Sequence, residues 1–370
     1  MITHQPVWWD ETDEDPFPTP FRERGWNPIG ILGRGGMGVV YSAYRKPHTA
    51  LRAIKVLPPD CSKHPELVDR FTFEIRTMAS ISHPNIVGIH DFDEVDNQLF
   101  FVMNYIAGDN LKNVLRQKKR LRMDEAVFIA RGIAEAIEFC HKKNIIHRDL
   151  KPANVILNQS GDVVVTDFGI ANVLSALGDN TGEGMAIGTP QYVAPEQLKD
   201  GSDVDFRADQ YSLAVILCEM LTGELPIGMF GSMQEDCPEL KPAAEKVLGK
   251  ALSRDRKKRY SSPRAFMRSF CAAQEIAVNS HKGKILVRRL ALYNSPRTGH
   301  ETPYSSNASK DLFFLTHPAR DIPTGEEEFT LEDLLAPEEN APPDKPININ
   351  KSPQSYFDEE TPLSPWWRRR

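Results

Sequence analysis

An α+β fold is what this sequence predicts, on three observations. Residues 29–44, "IGILGRGGMGVVYSAY", read as an alternating apolar strand, a glycine cluster and a second strand. Leu67, Phe71, Ile75 and Met78 recur at +4, +4 and +3, the buried stripe of a helix within 64–82. "YSLAVILCEML" (211–221) is apolar almost throughout. It is far short of the ~20 residues that span a bilayer, so it reads as a buried core helix.

Composition bounds the rest. The chain has 370 residues, 40% of them hydrophobic, enough for a sizeable core. Its formal charge of −6 argues against bulk attraction to nucleic acid. Five widely spaced cysteines without a CxxC pair argue against zinc and a disulfide framework, and fit a reduced cytoplasm. The start lacks a basic region and an apolar h-region, and no segment has transmembrane character, so the expected location is cytoplasmic. Three spans are expected: an acidic, Pro-rich, disordered extension over 1–25, a globular domain over 26–277, and a mostly disordered Ser/Pro/Asn-rich tail over 278–370. Within the tail, 326–337 has the pattern of a short amphipathic helix.

Taken in order, the elements carry chemistry. Gly33, Gly35 and Gly38 sit between two strands, where glycine lets the backbone turn sharply and approach a ligand. A Rossmann fingerprint would open a helix here and a P-loop would end in GK[ST], while an ordinary glycine-rich hairpin has the same signature. "LRAIKVL" (51–57) is a strand with Lys55 among apolar neighbours. Glu74 falls beside the helical stripe and needs a cation there: Lys55 is the candidate, the alternative being an i,i+4 pair with Arg70, whose orientation is the weaker one. In "HRDLKPANVILNQSGDVVVTDFG" (147–169), two apolar runs flank the turn cluster "NQSGD". A hairpin centred between Ser160 and Gly161 sets Asn154 beside Asp167, two hard oxygen ligands suited to Mg²⁺. Asp149 is one loop away, placed to accept a proton from an attacking hydroxyl, with Lys151 to neutralise charge on the group in flight.

In this set of motifs the chain resembles the eukaryotic-type protein serine/threonine kinases, bacterial members especially, over about 27–275. The resemblance implies a bilobal protein kinase fold, with a small β-rich N-lobe (about 26–103) bearing helix C and a larger, mainly helical C-lobe (about 108–277). It implies ATP with Mg²⁺, or Mn²⁺ as the alternative metal, and protein substrates. "GRGGMGVVY" is then the phosphate-covering loop, with Gly33, Arg34, Gly35, Gly36 and Gly38; Lys55 takes the α/β-phosphates and Glu74 is its helix-C partner. Asp149 is implied as catalytic base, Lys151 as the γ-phosphate contact, and Asn154 and Asp167 as metal ligands. Val40 and Ala53 would roof the adenine, Ile156 floor it and Met103 guard it, with backbone groups of Asn104 and Ile106 at its edge. Three further positions match structural residues: Asp209 holding the catalytic loop, and Arg259 pairing with Glu196 of "APE".

The resemblance also implies a preference for Ser/Thr over Tyr, from Lys151 after Asp149 and from Thr189 of "GTPQYVAPE". Arg148 is placed to pair with a phosphate on the segment between DFG and APE, with Thr181 the first choice of autophosphorylation site and Ser175 the second. The rival reading is a scaffold that binds nucleotide without turnover; Lys55, Asp149 and Asp167, all present, argue against it. The aromatic and basic end "SPWWRRR" offers at most weak contact with an anionic membrane surface. Oligomeric state has no signature in the sequence.

Overall fold

Strand alternation sorts the first hundred residues onto the two faces of one sheet. The computed structural model describes residues 19–35, 38–95, 98–168, 190–198, 204–226, 232–277 and 280–293. Strands β1 (Trp26–Gly35), β2 (Gly38–Arg45), β3 (His48–Val56), β4 (Ile89–Val95) and β5 (Gln98–Asn104) form an antiparallel sheet in the order β1-β2-β3-β5-β4. On β3, Ile54 and Val56 join Phe100 and Val102 in one core cluster, whereas Ala53 joins Phe101 and Met103 in another. Lys55 shares the alternation of Ala53, and so points under the sheet.

Each cluster is closed by a helix. Helix α1 (Thr19–Glu23) buries Phe21 edge-on against Phe100, at 4.7 Å between ring centroids. This element lies within the span expected to be a disordered extension, and its one large apolar side chain accounts for its place. Helix α2 (Pro65–Ala79) starts on a proline, whose missing N–H costs nothing at the first turn, and buries the expected stripe of Leu67, Phe71, Ile75 and Met78.

A second, small antiparallel sheet follows: β6 (Gly108–Asn110), β7 (Val155–Asn158) and β8 (Val163–Val165). It lies on the helical part of the chain, built from α3 (Leu111–Lys118), α4 (Met123–His141), α5 (Arg207–Thr222), α6 (Pro242–Ala251) and α7 (Pro263–Gln274). Helix α5 is buried on nearly all sides, as its apolar sequence predicted, and ends at Gly223, whose φ of 82° suits glycine. The bilobal α+β architecture is the expected one.

Two details differ from expectation. The β7–β8 hairpin pairs Val155 with Val165 and Leu157 with Val163, so its centre is Ser160 and Asn154 stands opposite Thr166 rather than Asp167. A turn closed from Asn158 to Asp162, with Gly161 at φ 95°, accommodates three residues and sets that register. Second, the residues read as tail begin with a helix, α8 (Ser280–Tyr293), which buries Val287, Leu290 and Ala291 in the main core. Its Gly283 lies so close to Phe128 of α4 that a Cβ would stand 1.9 Å from the ring. Its Lys284 carbonyl lies 2.3 Å from where a Cβ on Gly161 would be, and Lys284 Nζ reaches Asp162 at 3.1 Å. The segment 326–337 lies outside the described residues.

Candidate active site

The catalytic loop is held from beneath by one buried carboxylate. Asp209, in the first turn of α5 and fully buried, accepts the backbone N–H groups of His147 (2.8 Å, Oδ2) and Arg148 (2.9 Å, Oδ1). His141 Nε2 reaches the same Oδ2 at 2.7 Å. Burial alone would push this carboxyl up, but the His141 hydrogen bond, the neighbouring imidazoles and the His147 N–H outweigh it and hold the group below the usual carboxylate range. Thus fixed, Arg148 takes a left-handed φ of 63° and its carbonyl accepts from Gln197 Nε2 at 2.9 Å.

His147 was not singled out in the sequence, although it opens "HRDLKPAN". It is fully buried; its Nδ1 accepts the Asp149 N–H at 3.3 Å, which leaves Nε2–H to donate to the Thr166 carbonyl at 2.9 Å. One ring thus ties the catalytic loop to the end of the far strand, and Phe168 packs against it at a tilt, 4.5 Å between ring centroids.

Asp149 receives Lys151 Nζ at 2.6 Å and Asn154 Nδ2 at 3.1 Å. Among the described residues both contacts fall on Oδ2, so Oδ1 is the oxygen open to a hydroxyl. Asn154 Nδ2 also donates to the Asp149 carbonyl at 2.9 Å, which turns its Oδ1 away as a free oxygen donor. Asp167 follows Thr166 with φ 62°, the turn that carries its carboxylate out of the β8 line. Asp167 thus stands off the β8 line, one residue beyond the position opposite Asn154.

Lys55 departs from the expected pairing. Its buried ammonium sits on Asp167 Oδ1 at 2.5 Å, so the carboxylate seen on it is that of Asp167 and not Glu74. Glu74 lies half-buried on α2 beside Ile75. The physical cause is the left-handed turn at Asp167, which aims its carboxylate at the underside of β3. Burial would raise the Asp167 carboxyl, but the Lys55 charge and hydrogen bond hold it below its usual range.

Val40, Ala53, Met103 and Ile106 belong to one apolar cluster; Ile156 is half-buried on β7 opposite Val164, a member of the same cluster. The Asn104 N–H donates to the Gly88 carbonyl at 2.9 Å and its Oδ1 lies 2.5 Å from His90 Nε2. Its carbonyl, rather than its N–H, is thus the group left for a ligand edge.

Above, a Cβ on Gly33 or Gly35 would meet nothing within 4 Å, so the two glycines border open space. Gly38 is required for a different reason: its φ is 115° and a Cβ would stand 2.1 Å from the Val56 carbonyl. Arg34 is exposed on β1, paired with Val39. These donors and this open space fit a nucleotide phosphate chain and a hard divalent cation, which takes few protein oxygens. Gly36, Ser175, Thr181 and Thr189 lie outside the described residues. Beyond them, Glu196 is gripped by both Arg259 nitrogens at 2.6 and 2.8 Å, and Arg259 also stacks over Tyr211 at 4.9 Å. Tyr192, whose hydroxyl donates to Glu219 at 2.7 Å, was another residue the sequence did not flag.

The model of the protein kinase domain matches residues 26–272. The chain belongs to the protein kinase family. A probable serine/threonine-protein kinase of Streptomyces coelicolor is 37% identical over 266 residues, covering 66% of this chain and 39% of that protein. The serine/threonine-protein kinase PknF of Mycobacterium tuberculosis is 35% identical over 256 residues, covering 64% and 53%. The chain thus spans about two-fifths to half the length of these curated relatives. Among solved structures, the PknI kinase domain of M. tuberculosis superposes with a TM-score of 0.57 at 29% identity, covering 68% of this chain and 96% of that one. Among the described residues no helix is long and apolar enough to cross a membrane.

Proposed function

We propose that the protein is a serine/threonine kinase that transfers the γ-phosphoryl of ATP to hydroxyl groups of protein substrates. The observation that supports this reading is the side-chain cluster in which Lys151 and Asn154 bond Asp149 through Oδ2 while Lys55 bonds Asp167, within reach of the Lys151 charge, with Asp149 Oδ1 left open. Asp149 orients the substrate hydroxyl and accepts its proton as the oxygen bonds to the γ-phosphorus. The bond from that phosphorus to the β,γ-bridging oxygen breaks, and ADP leaves. Lys151, 2.6 Å from Asp149, neutralises the phosphoryl in transit. Asn154 and Asp167 would hold Mg²⁺, which supplies charge neutralisation on the phosphates. Lys55 would exchange Asp167 for phosphate oxygens and Glu74, leaving Asp167 to the metal. Arg148 and the activation segment, with Thr181 ahead of Ser175, supply the proposed autophosphorylation control.

The test is transfer of labelled γ-phosphate from Mg-ATP to the protein itself and to a generic basic protein, with Asp149→Asn in parallel. The variant keeps the Lys151 and Asn154 neighbours, so the expected result is unchanged melting and a loss of about 10²–10⁴ in rate. Equal label from both proteins would sink the assignment of Asp149; absence of label with ATP-dependent stabilisation would favour the scaffold reading.

A further inference from the structure

An open cleft of about 470 Å³ lies at the junction of α3, α4 and α8, on residues the proposed catalysis does not use. Lys118 ends α3, Arg120 and Arg122 form the link to α4, and Arg289 comes from α8. Leu286, one helical turn before Arg289, supplies an apolar wall, and Glu125 the single carboxylate. Its four cations outnumber Glu125 and the Asp124 that pairs with Arg122, which leaves the cleft net positive in a chain of net charge −6. Helix α8 is indispensable to it: without Leu286 and Arg289 the cleft has neither its apolar wall nor its fourth cation.

The cations are spread rather than focused. The Arg120 guanidinium donates to the Asp236 carbonyl, the Arg122 guanidinium to Asp124, and Glu125 Oε2 accepts the Arg122 N–H at 3.0 Å. Arg289 is exposed and has no ion-pair partner among the described residues. A compact dianion would meet the Glu125 carboxylate at close range. A peptide with spaced carboxylates and interleaved apolar side chains would not, and could also cover Leu286.

This chain carries such a segment. Between Glu326 and Glu339, "EEEFTLEDLLAPEE", seven of fourteen residues are acidic, none is basic, and Phe329, Leu331, Leu334 and Leu335 are interleaved. The 32 residues 294–325 separate it from the end of α8, a tether that reaches up to about 100 Å when extended. We propose that the cleft of α3, α4 and α8 is a docking site for an acidic peptide, and that its occupant is residues 326–339 of the same chain. Docking returns the tail to the back of the helical lobe and keeps that segment at high effective concentration.

The experiment uses the full chain and a full-length variant in which Glu326, Glu327, Glu328 and Glu332 become Gln and Asp333 becomes Asn. A fluorescent peptide of residues 324–340 is titrated into each, read by anisotropy. The neutralised-tail protein should bind the peptide, and the natural chain should bind it roughly 10-fold more weakly because its own segment competes. Arg289→Glu in the neutralised-tail protein should weaken binding by at least about 3-fold, and raising salt to about 0.3 M should weaken it further. Arg289→Ala serves as second variant should the reversal disturb folding. Absence of binding, or affinity indifferent to Arg289 and salt, overturns the proposal. Displacement by inorganic phosphate as effective as by unlabelled peptide would make this a simple anion site, and overturns it too. Equal affinity in both tail backgrounds means the acidic occupant comes from elsewhere. Self-association of the natural chain alone means it comes from a second copy; either result removes the same-chain assignment.

Discussion

Replacing Asp209 by Asn should loosen the catalytic loop by an amount the geometry sets. One oxygen, Oδ2, takes His147 N–H and His141; the other, Oδ1, takes Arg148 N–H. An amide keeps one of these oxygens and turns an NH₂ toward the remaining donor, leaving a buried N–H without an acceptor. Such a group costs about 1–3 kcal/mol, which for a domain of this size lowers the melting temperature by roughly 4–8 °C at 2 kcal/mol. Alanine leaves all three donors bare and should cost about 3 kcal/mol or more, a large part of a typical stability of about 5–15 kcal/mol. The sign with pH follows from the depressed carboxyl. Its stabilisation is present above the unfolded value of about 3.9 and is lost as pH falls toward the lower folded value. Thermal melts of native and Asp209→Asn protein between pH 3 and 7 (a range of about 4 units) would therefore converge at the acid end. With Asp149 displaced, turnover should fall by about tenfold or more. A variant that melts within about 1 °C of the native chain at neutral pH, with native turnover, would refute this account of the loop.

Four other outcomes follow from particular contacts. Arg259→Ala leaves the half-buried Glu196 without either of its guanidinium bonds and should cost about 1–3 kcal/mol in urea unfolding, whereas Glu196→Gln, which keeps one acceptor, should cost less. Gly38→Ala must displace the Val56 carbonyl at a left-handed φ, so nucleotide affinity should drop along with melting temperature in a ligand-stabilisation assay. Lys284→Ala should change stability by less than about 1 kcal/mol, because its ion pair with Asp162 is solvent-exposed. Gly283→Leu should instead unseat α8 from Phe128, and circular dichroism with thermal melting would separate the two.

Part of the motif was legible because its chemistry demands those side chains: Lys151 and Asn154 both bond Asp149, and the Lys151 charge acts on Asp167. The stripe of α2 was legible by its period, and α5 by its apolar length. The hairpin was read one residue off because turn composition does not reveal how many residues the turn holds; Gly161 at φ 95° settles that at three. Lys55 was assigned to Glu74 because no pattern in a sequence announces that Asp167 turns left-handed. Helix α8 escaped for a different reason. Its buried face runs Gly283, Val287, Leu290 and Ala291, and a glycine at the closest contact hides the first step of the stripe. Its basic residues and the Ser/Pro-rich sequence that follows resemble tail composition.

The seat of α8 bears on how this protein is cut. The family match stops at residue 272, short of Ser280. A fragment ended there would present Phe128 and the strip under Val287 and Leu290 to water, and would leave the turn at Gly161 without the Lys284 backbone against it. Such a patch is an adhesive surface, so the shorter piece should clump at concentrations where one carried through Tyr293 stays dispersed. The edge of this folding unit, at Tyr293, thus lies some twenty residues past the family match, held by two close approaches: Gly283 against the Phe128 ring and Gly161 against the Lys284 backbone.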